Sequence, residues 1–245
     1  MSPELKAIVE KYSPFLKEAR KRVVTAFVIF LISMFAGFVF YEQIIKFLLG
    51  FLSLRGVNIV FTSPFQFINL AISCGVATGV IVVFPILVYQ ILSFLKPALS
   101  PKEYKVIVGF IPFSLCLFLV GFTFGTLIMK WQIEIFLARS VSLGIGNVLD
   151  ISSLLSVVLL TSAFLGLGFQ FPIVLLLLLK LRVINHKGLT SVRKWVYLGS
   201  FMFALLLPPD SILADVILSL PLIALYEVTL LIDRVFIKRN RYPFS

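Results

Sequence analysis

Residues 153–179 read SLLSVVLLTSAFLGLGFQFPIVLLLLL, a long apolar run without one charged side chain. A helix rises about 1.5 Å per residue, so this run is about 40 Å long and exceeds the about 30 Å hydrocarbon core of a bilayer. Its apolar residues follow one another and do not alternate with polar ones, which argues against a membrane-spanning β-strand. The run therefore predicts a transmembrane α-helix.

Five further apolar runs extend this prediction to the whole chain. They lie at residues 23–41, 66–95, 106–129, 195–207 and 216–232. Six transmembrane helices and an all-α fold are predicted, and the last two helices are short, which implies a locally thinned bilayer or insertion from one side. The chain is 60% apolar and 13% charged, against about 25% charged in soluble domains. This composition excludes a soluble globular domain, a disordered chain and a disulfide scaffold.

The basic residues predict the orientation in the membrane. Of the 22 Lys and Arg residues, 18 lie in the N-terminal region, the second and fourth connections and the C-terminal tail, and the first and third connections hold the other four. Basic residues gather on the cytoplasmic side of membrane proteins, so both termini are predicted to be cytoplasmic. The net charge of +11 is thus explained by orientation in the lipid bilayer, and nucleic acid is not predicted as a partner.

The chain is interpreted as one membrane domain, residues 1–245, in three parts. Residues 1–22 form a cytoplasmic amphipathic region, 23–232 the six-helix bundle and 233–245 a basic cytoplasmic tail.

Capping signals mark the predicted helix starts. Ser-Pro pairs, which place a capping hydroxyl before a proline in the first turn, occur at residues 13–14, 63–64 and 100–101. Gln66 and Glu103 complete two capping boxes of the Ser-x-x-Gln/Glu type. Asp150 and Asp210 are predicted N-caps of the fourth and sixth spans.

The residues that catalysis or metal binding would need are sparse. The single histidine, His186, lies in a basic connection, and no His/Cys/carboxylate cluster has metal-ligand spacing. Neither a phosphate-binding glycine loop nor a Ser/His/Asp set is evident. An enzyme, a metal site and a cofactor are therefore not predicted, and function is expected to rest on binding and conformational change.

Five short motifs resemble, in order, those of the TatC family, the multi-span subunit of the twin-arginine protein translocase. They are FLKEAR at 15–20, YQILSFLKPALSPKE at 89–103, GFQFP at 168–172, PPD at 208–210 and LYE at 225–227. Phe15, Ala19 and Gln170 depart from the usual His, Leu and Glu of that family, and Gln66 stands where many members have Glu. The resemblance implies a cupped helical bundle that recognises twin-arginine signal peptides and scaffolds the export of folded proteins, driven by the protonmotive force.

The resemblance also implies the residues that bind the signal peptide. Glu18 and Glu103 are expected to pair with its two arginines, whose guanidinium forks match carboxylates in a way that lysine cannot copy. Arg20 is expected to orient these carboxylates, and Phe94 to belong to the same surface. On residues alone, Glu18 could merely pair with Arg22, and Glu103 could merely close its capping box.

Gln170 is the expected contact for a partner transmembrane helix of the TatA/TatB type. Its amide lies near the middle of the membrane, where a polar group needs a hydrogen-bond partner, and a helix of the same chain is the alternative. Glu227 is expected to reach the interface or pair with a basic tail residue. Structural support is assigned to a further group of residues: Asp150, Asp210, Tyr89, Gln90, Tyr226 and Glu227.

Self-association in a receptor complex is a further expectation of the resemblance. The bacterial cytoplasmic membrane is the expected location, with organellar inner or thylakoid membranes as alternatives. The competing hypotheses are a secondary transporter of a small solute, for which Thr161, Ser162 and Gln170 offer a sparse polar site, and a structural subunit of another membrane complex.

Overall fold

The computed structural model describes residues 3–52, 58–60, 63, 65–95, 104, 108–144, 148–180, 184, 186–208, 212–232 and 234. The elements in chain order are α1 (Pro3–Val39), α2 (Tyr41–Leu52), β1 (Asn58–Val60), α3 (Gln66–Leu95), α4 (Phe110–Ser142), β2 (Val148–Asp150), α5 (Ile151–Gly168), α6 (Phe171–Lys180), α7 (His186–Ser191), α8 (Arg193–Leu205) and α9 (Ile212–Ile232).

Long apolar helices dominate the described part of the chain, as predicted. Five stretches there are long and apolar enough to cross a membrane: Leu16–Val39, Gln66–Ile91, Ile111–Ser142, Ile151–Leu179 and Ile212–Ile232. The all-α, multi-span membrane architecture is therefore confirmed. The predicted fifth span corresponds to α8, whose 13 residues extend only about 20 Å.

Several helices extend beyond the predicted apolar runs. The predicted third run stops before Lys130, whereas α4 continues to Ser142, because a charged residue ends an apolar run without ending a helix. The connection between α1 and α3 contains the amphipathic helix α2, which was predicted as loop. It buries Leu48 and Leu52 against α3 and α5.

At the N-terminus, α1 runs without a break through Ser13 and Pro14, so the helix start predicted there is wrong. A proline inside a helix removes one backbone hydrogen bond. Outside the hydrocarbon, water can bind the carbonyl that loses its partner, so this proline does not end the helix.

Two helix pairs approach closely enough to exclude side chains at their crossing points. A Cβ added to Gly75 of α3 would lie 2.7 Å from the Met34 carbonyl oxygen of α1, and one added to Gly125 of α4 would lie 2.8 Å from the Cα of Ser162 in α5. Small residues allow such backbone approach in membranes, where lipid supplies no hydrophobic drive for association. The pairs α1–α3 and α4–α5 thus form the most closely packed part of the bundle.

Three apolar clusters connect the described helices. Leu155 lies where α2, α3, α4 and α5 meet, Leu218 where α4, α5, α8 and α9 meet, and Leu179 where α6, α7 and α9 meet. At one end of the bundle, β1 and β2 form a parallel pair with Asn58 opposite Val148. This pair joins the connection before α3 to the connection before α5.

Candidate functional site

Glu18 is held by an arginine one helical turn further along α1. The Arg22 Nη2 and Nε atoms donate to Glu18 Oε1 at 2.6 and 3.2 Å, which is the i,i+4 pairing expected from sequence alone. Arg22 Nη1 also donates to the backbone carbonyl of Gln90 in α3 at 2.8 Å. The first two motifs are therefore joined by one guanidinium at the end of the α1–α3 pair that is predicted to be cytoplasmic.

The remaining residues of this end are partly described. Arg20 is exposed on α1, and Tyr89 in α3 is 59% exposed. Phe94 lies in the last turn of α3. Glu103, the second expected partner of the signal peptide, lies outside the described residues, as does its capping box with Ser100. The structure thus brings Glu18 and Gln90 together through Arg22, a residue that the sequence interpretation considered only as an alternative partner of Glu18.

Gln170 lies in a two-residue break between α5 and α6 and is buried. Its Oε1 accepts from Ser114 Oγ at 2.8 Å, and its Nε2 donates to the carbonyls of Ser114 and Gly166 at 3.2 and 3.3 Å. At the break, its backbone N–H bonds to the Leu167 carbonyl three residues back. The side chain then supplies the hydrogen bond to Gly166 that a regular helix would make from the backbone.

Gln170 also lines a groove between α6 and α8. The cavity has a volume of about 610 Å³. Phe171 and Val174 of α6 form one wall, Ser200 and Phe203 of α8 the other. The lining is mostly apolar, as in sites that take apolar ligands, and the exposed Trp195 lies at the start of α8.

Asp150 is the N-cap of α5, as predicted. It also links the start of α5 to the start of α3. Its carboxylate accepts from the backbone N–H of Ser152 at 3.0 Å and from the hydroxyl of Ser153 at 2.6 Å. The Gln66 amide of α3 donates to it at 2.9 Å. The Gln66 side chain also accepts from the Ser63 N–H at 3.2 Å, which is one half of the predicted capping box. The other half differs, because the Gln66 N–H donates to the Ser63 backbone carbonyl, whereas a capping box uses the hydroxyl. Asp210, the other predicted cap, lies outside the described residues.

Tyr226 and Glu227 hold α7, α8 and α9 together. The buried Tyr226 hydroxyl donates to the Leu189 carbonyl at 2.6 Å. Glu227 accepts from Arg193 at 3.2 Å and from the Tyr197 hydroxyl at 2.5 Å. Among the described residues, its basic partner is Arg193 at the start of α8, because antiparallel packing places that start beside the end of α9.

Two residues in this region escaped the sequence interpretation. Asp215 is 4% exposed within α9, but the predicted run began one residue after it, so it was treated as part of a connection. The sequence feature that could have identified it is a single carboxyl at the edge of an apolar run. It lies four positions before Ser219, and residues four apart share one helix face. Ser114 gave no signal, since a single serine inside a span is common and only the fold places it beside Gln170. No group of three or more potential metal ligands occurs among the described residues.

Known proteins resemble this chain over most of its length. A family described as "Sec-independent protein translocase protein (TatC)" matches residues 14–221. TatCy of Bacillus subtilis is 30% identical, with 89% of this chain and 87% of that protein covered. TatC of Aquifex aeolicus is 27% identical over 92% of this chain and 95% of that protein. A crystal structure named "Twin Arginine Translocase Receptor- TatC in DDM" aligns with a TM-score of 0.78, 27% identity, and coverage of 89% of this chain and 98% of that one.

Proposed function

Because the chain belongs to the TatC family and is a subunit of a Sec-independent protein translocase, we propose that it binds twin-arginine signal peptides at its cytoplasmic end. Glu18 and Glu103 bind the two signal arginines, Arg20 and Phe94 complete the surface, and the peptide belongs to a folded cargo protein. Export is driven by the protonmotive force, with no cofactor and no catalytic step in this subunit.

The main support for this proposal is the exposure and hydrogen bonding of Glu18. Its side chain is 47% exposed and already binds a guanidinium group. The surrounding basic segment, which includes Lys17 and Lys21, would repel an arginine-rich peptide unless a carboxylate attracted it. An exposed carboxylate that accepts charge-assisted bonds is suited to that task.

For partner subunits we propose the groove beside Gln170. A single transmembrane helix of the TatA/TatB type lies against Phe171, Val174 and the short helix α8, with Gln170 at its contact. The same chain associates with further copies in a receptor complex. The apolar lining supports this proposal, since such a wall can face another helix or lipid without unpaired polar groups.

We further propose that α8 crosses the membrane as a sixth, short span, with both termini cytoplasmic in a bacterial cytoplasmic membrane. The distribution of basic residues and the antiparallel packing of α8 against α9 support this topology. A thinned bilayer around α8 accommodates its length.

Binding of a labelled signal peptide to the purified full chain tests the recognition site. Glu18→Gln and Glu103→Gln keep side-chain size and remove the charge. Each should weaken binding of a twin-arginine peptide by about 1.5–3 kcal/mol, the scale of a hydrogen bond to a charged group. Glu134→Gln is the matched control, since Glu134 is an exposed carboxylate in the part of α4 beyond the predicted third span.

A twin-lysine peptide should bind weakly to every variant, because an ammonium group cannot form the bidentate pair. Normal binding and export by both glutamine variants of Glu18 and Glu103, with the protein folded, would show that the site lies elsewhere.

A further inference from the structure

Arg22 makes a geometrically specific set of contacts at the cytoplasmic end of the α1–α3 pair. Two of its nitrogens converge on one oxygen of Glu18, and the third donates to the Gln90 carbonyl. The guanidinium is planar, so these three donors fix its orientation relative to both helices. One side chain thus sets the rotamer of Glu18 and ties it to α3.

The two oxygens of Glu18 are used unequally. Both arginine donors end on Oε1, and within the described part of the chain Oε2 receives no hydrogen bond. A carboxylate has about four acceptor positions, so Oε2 can accept from a second guanidinium while Oε1 stays bound to Arg22. Internal pairing and recognition are therefore compatible on the same carboxylate.

Position along the helix distinguishes Arg22 from its basic neighbours. Residues four apart share a helix face, whereas residues two apart do not. Arg20 is two positions from Glu18 and is exposed, so it lies on a different face of α1. Arg22, four positions away, makes the contact to Glu18. Lys21 is close enough in sequence to compete for Glu18, but its flexible ammonium group would hold the carboxylate in no single orientation.

We propose that Arg22 is a positioning residue for signal recognition: it preorganises Glu18, with Oε2 available, for the guanidinium of a signal arginine. This inference rests on the proposed recognition at Glu18. A side chain that is ordered before binding loses less conformational entropy on binding, which increases affinity. An arginine that merely competed with the signal peptide would have the opposite effect.

Peptide binding to the full chain in lipid nanodiscs tests this role. Arg22→Lys keeps the charge and the helix but loses the three-donor bridge. It should weaken twin-arginine binding about three- to tenfold, the equivalent of ordering one long side chain, and reduce the preference over a twin-lysine peptide. Lys21→Gln removes a repelling charge at the neighbouring position and leaves the bridge intact, so it should not weaken binding and should leave the preference over a twin-lysine peptide unchanged.

A double-variant comparison separates positioning from a structural role. If Arg22 acts through Glu18, Arg22→Lys should have no further effect in a Glu18→Gln background. An equal effect in both backgrounds would show that Arg22 acts through the packing of α1 on α3 and would overturn the inference.

Four other outcomes also test the proposed role of Arg22. Tighter peptide binding by Arg22→Gln would show that Arg22 competes with the signal peptide for Glu18. Equal losses of peptide binding in Lys21→Gln and Arg22→Gln would show that Arg22 contributes only its positive charge. Unchanged binding by Arg22→Lys beside weakened binding by Glu18→Gln would overturn this inference alone. Unchanged binding by Glu18→Gln would remove the recognition proposal and this inference with it.

Discussion

Gln170 shows how a polar side chain is accommodated deep in an apolar helix. Its amide makes three hydrogen bonds within the chain, two of them to Ser114. A buried amide without such partners would be costly in hydrocarbon. The helix break and the glutamine therefore belong together, because the side chain satisfies a carbonyl that the break leaves without its usual backbone donor.

Substitution of Gln170 should separate partner docking from signal binding. Gln170→Leu removes bonds of about 0.6–2 kcal/mol each and changes the groove wall, so crosslinking from α8 to a TatA/TatB-type helix should fall while signal-peptide binding stays normal. Gln170→Glu should retain export, since a protonated carboxyl still offers a donor and acceptors. The measurement is site-specific crosslinking in membranes.

Ser114→Ala is the matched control for this experiment. It removes the hydroxyl that Gln170 binds but leaves the groove lining unchanged. Crosslinking that falls equally in Ser114→Ala and Gln170→Leu would show that Gln170 acts only by joining helices within the chain.

At the scale of elements, close helix contacts depend on glycines at the crossing points. The α4–α5 crossing places Gly125 so close to Ser162 that a methyl group has no room. Two hydrogen-bonded hydroxyls lie at the same crossing, Thr126 and Ser162, at 2.9 Å. Backbone approach and this polar pair reinforce each other, since the short distance is what brings the hydroxyls into contact.

Gly125→Ala should therefore destabilise the bundle. The added Cβ would meet the Ser162 Cα at 2.8 Å, and relief of such overpacking typically costs about 1–3 kcal/mol. The apparent Tm of the purified protein in detergent should fall by several degrees. Gly50→Ala is the control, because that Cβ meets nothing within 4 Å and alanine is favoured in a helix by about 0.5–1 kcal/mol. A Tm that does not fall in Gly125→Ala would show that α4 and α5 can move apart freely.

Sequence patterns predicted the elements better than their contacts. The run at 66–95 coincides with α3, because length and hydropathy alone set where a helix enters and leaves hydrocarbon. The bond between the Ser63 N–H and the Gln66 side chain and the Asp150 cap were predictable for a similar reason, since both are local. The link from Arg22 to Gln90, 68 positions away, and the pairing of Ser114 with Gln170 depend on which helices become neighbours. No local pattern contains that information.

At the scale of the whole molecule, α8 decides the topology. Arg193 at its start contacts Glu227 near the end of α9, and Ala204 near its end lies in one cluster with Ala214 and Leu218 at the start of α9. The two helices therefore run antiparallel and lie side by side over the whole length of α8, although α8 is short. If α9 crosses the membrane, α8 covers most of the same distance.

Cysteine labelling in intact cells tests this topology, in a background with alanine at Cys74 and Cys116. Cysteines at positions 57, 144 and 212 should react with an impermeant reagent, and those at 10, 100, 187 and 240 should react only after the membrane is opened. This pattern follows from the basic residues, which the positive-inside rule assigns mainly to the cytoplasmic side. An α8 that turned back without crossing would instead protect position 212 and expose position 240. Labelling of position 100 or 187 in intact cells would contradict the six-span arrangement itself, because both lie in the predicted cytoplasmic connections.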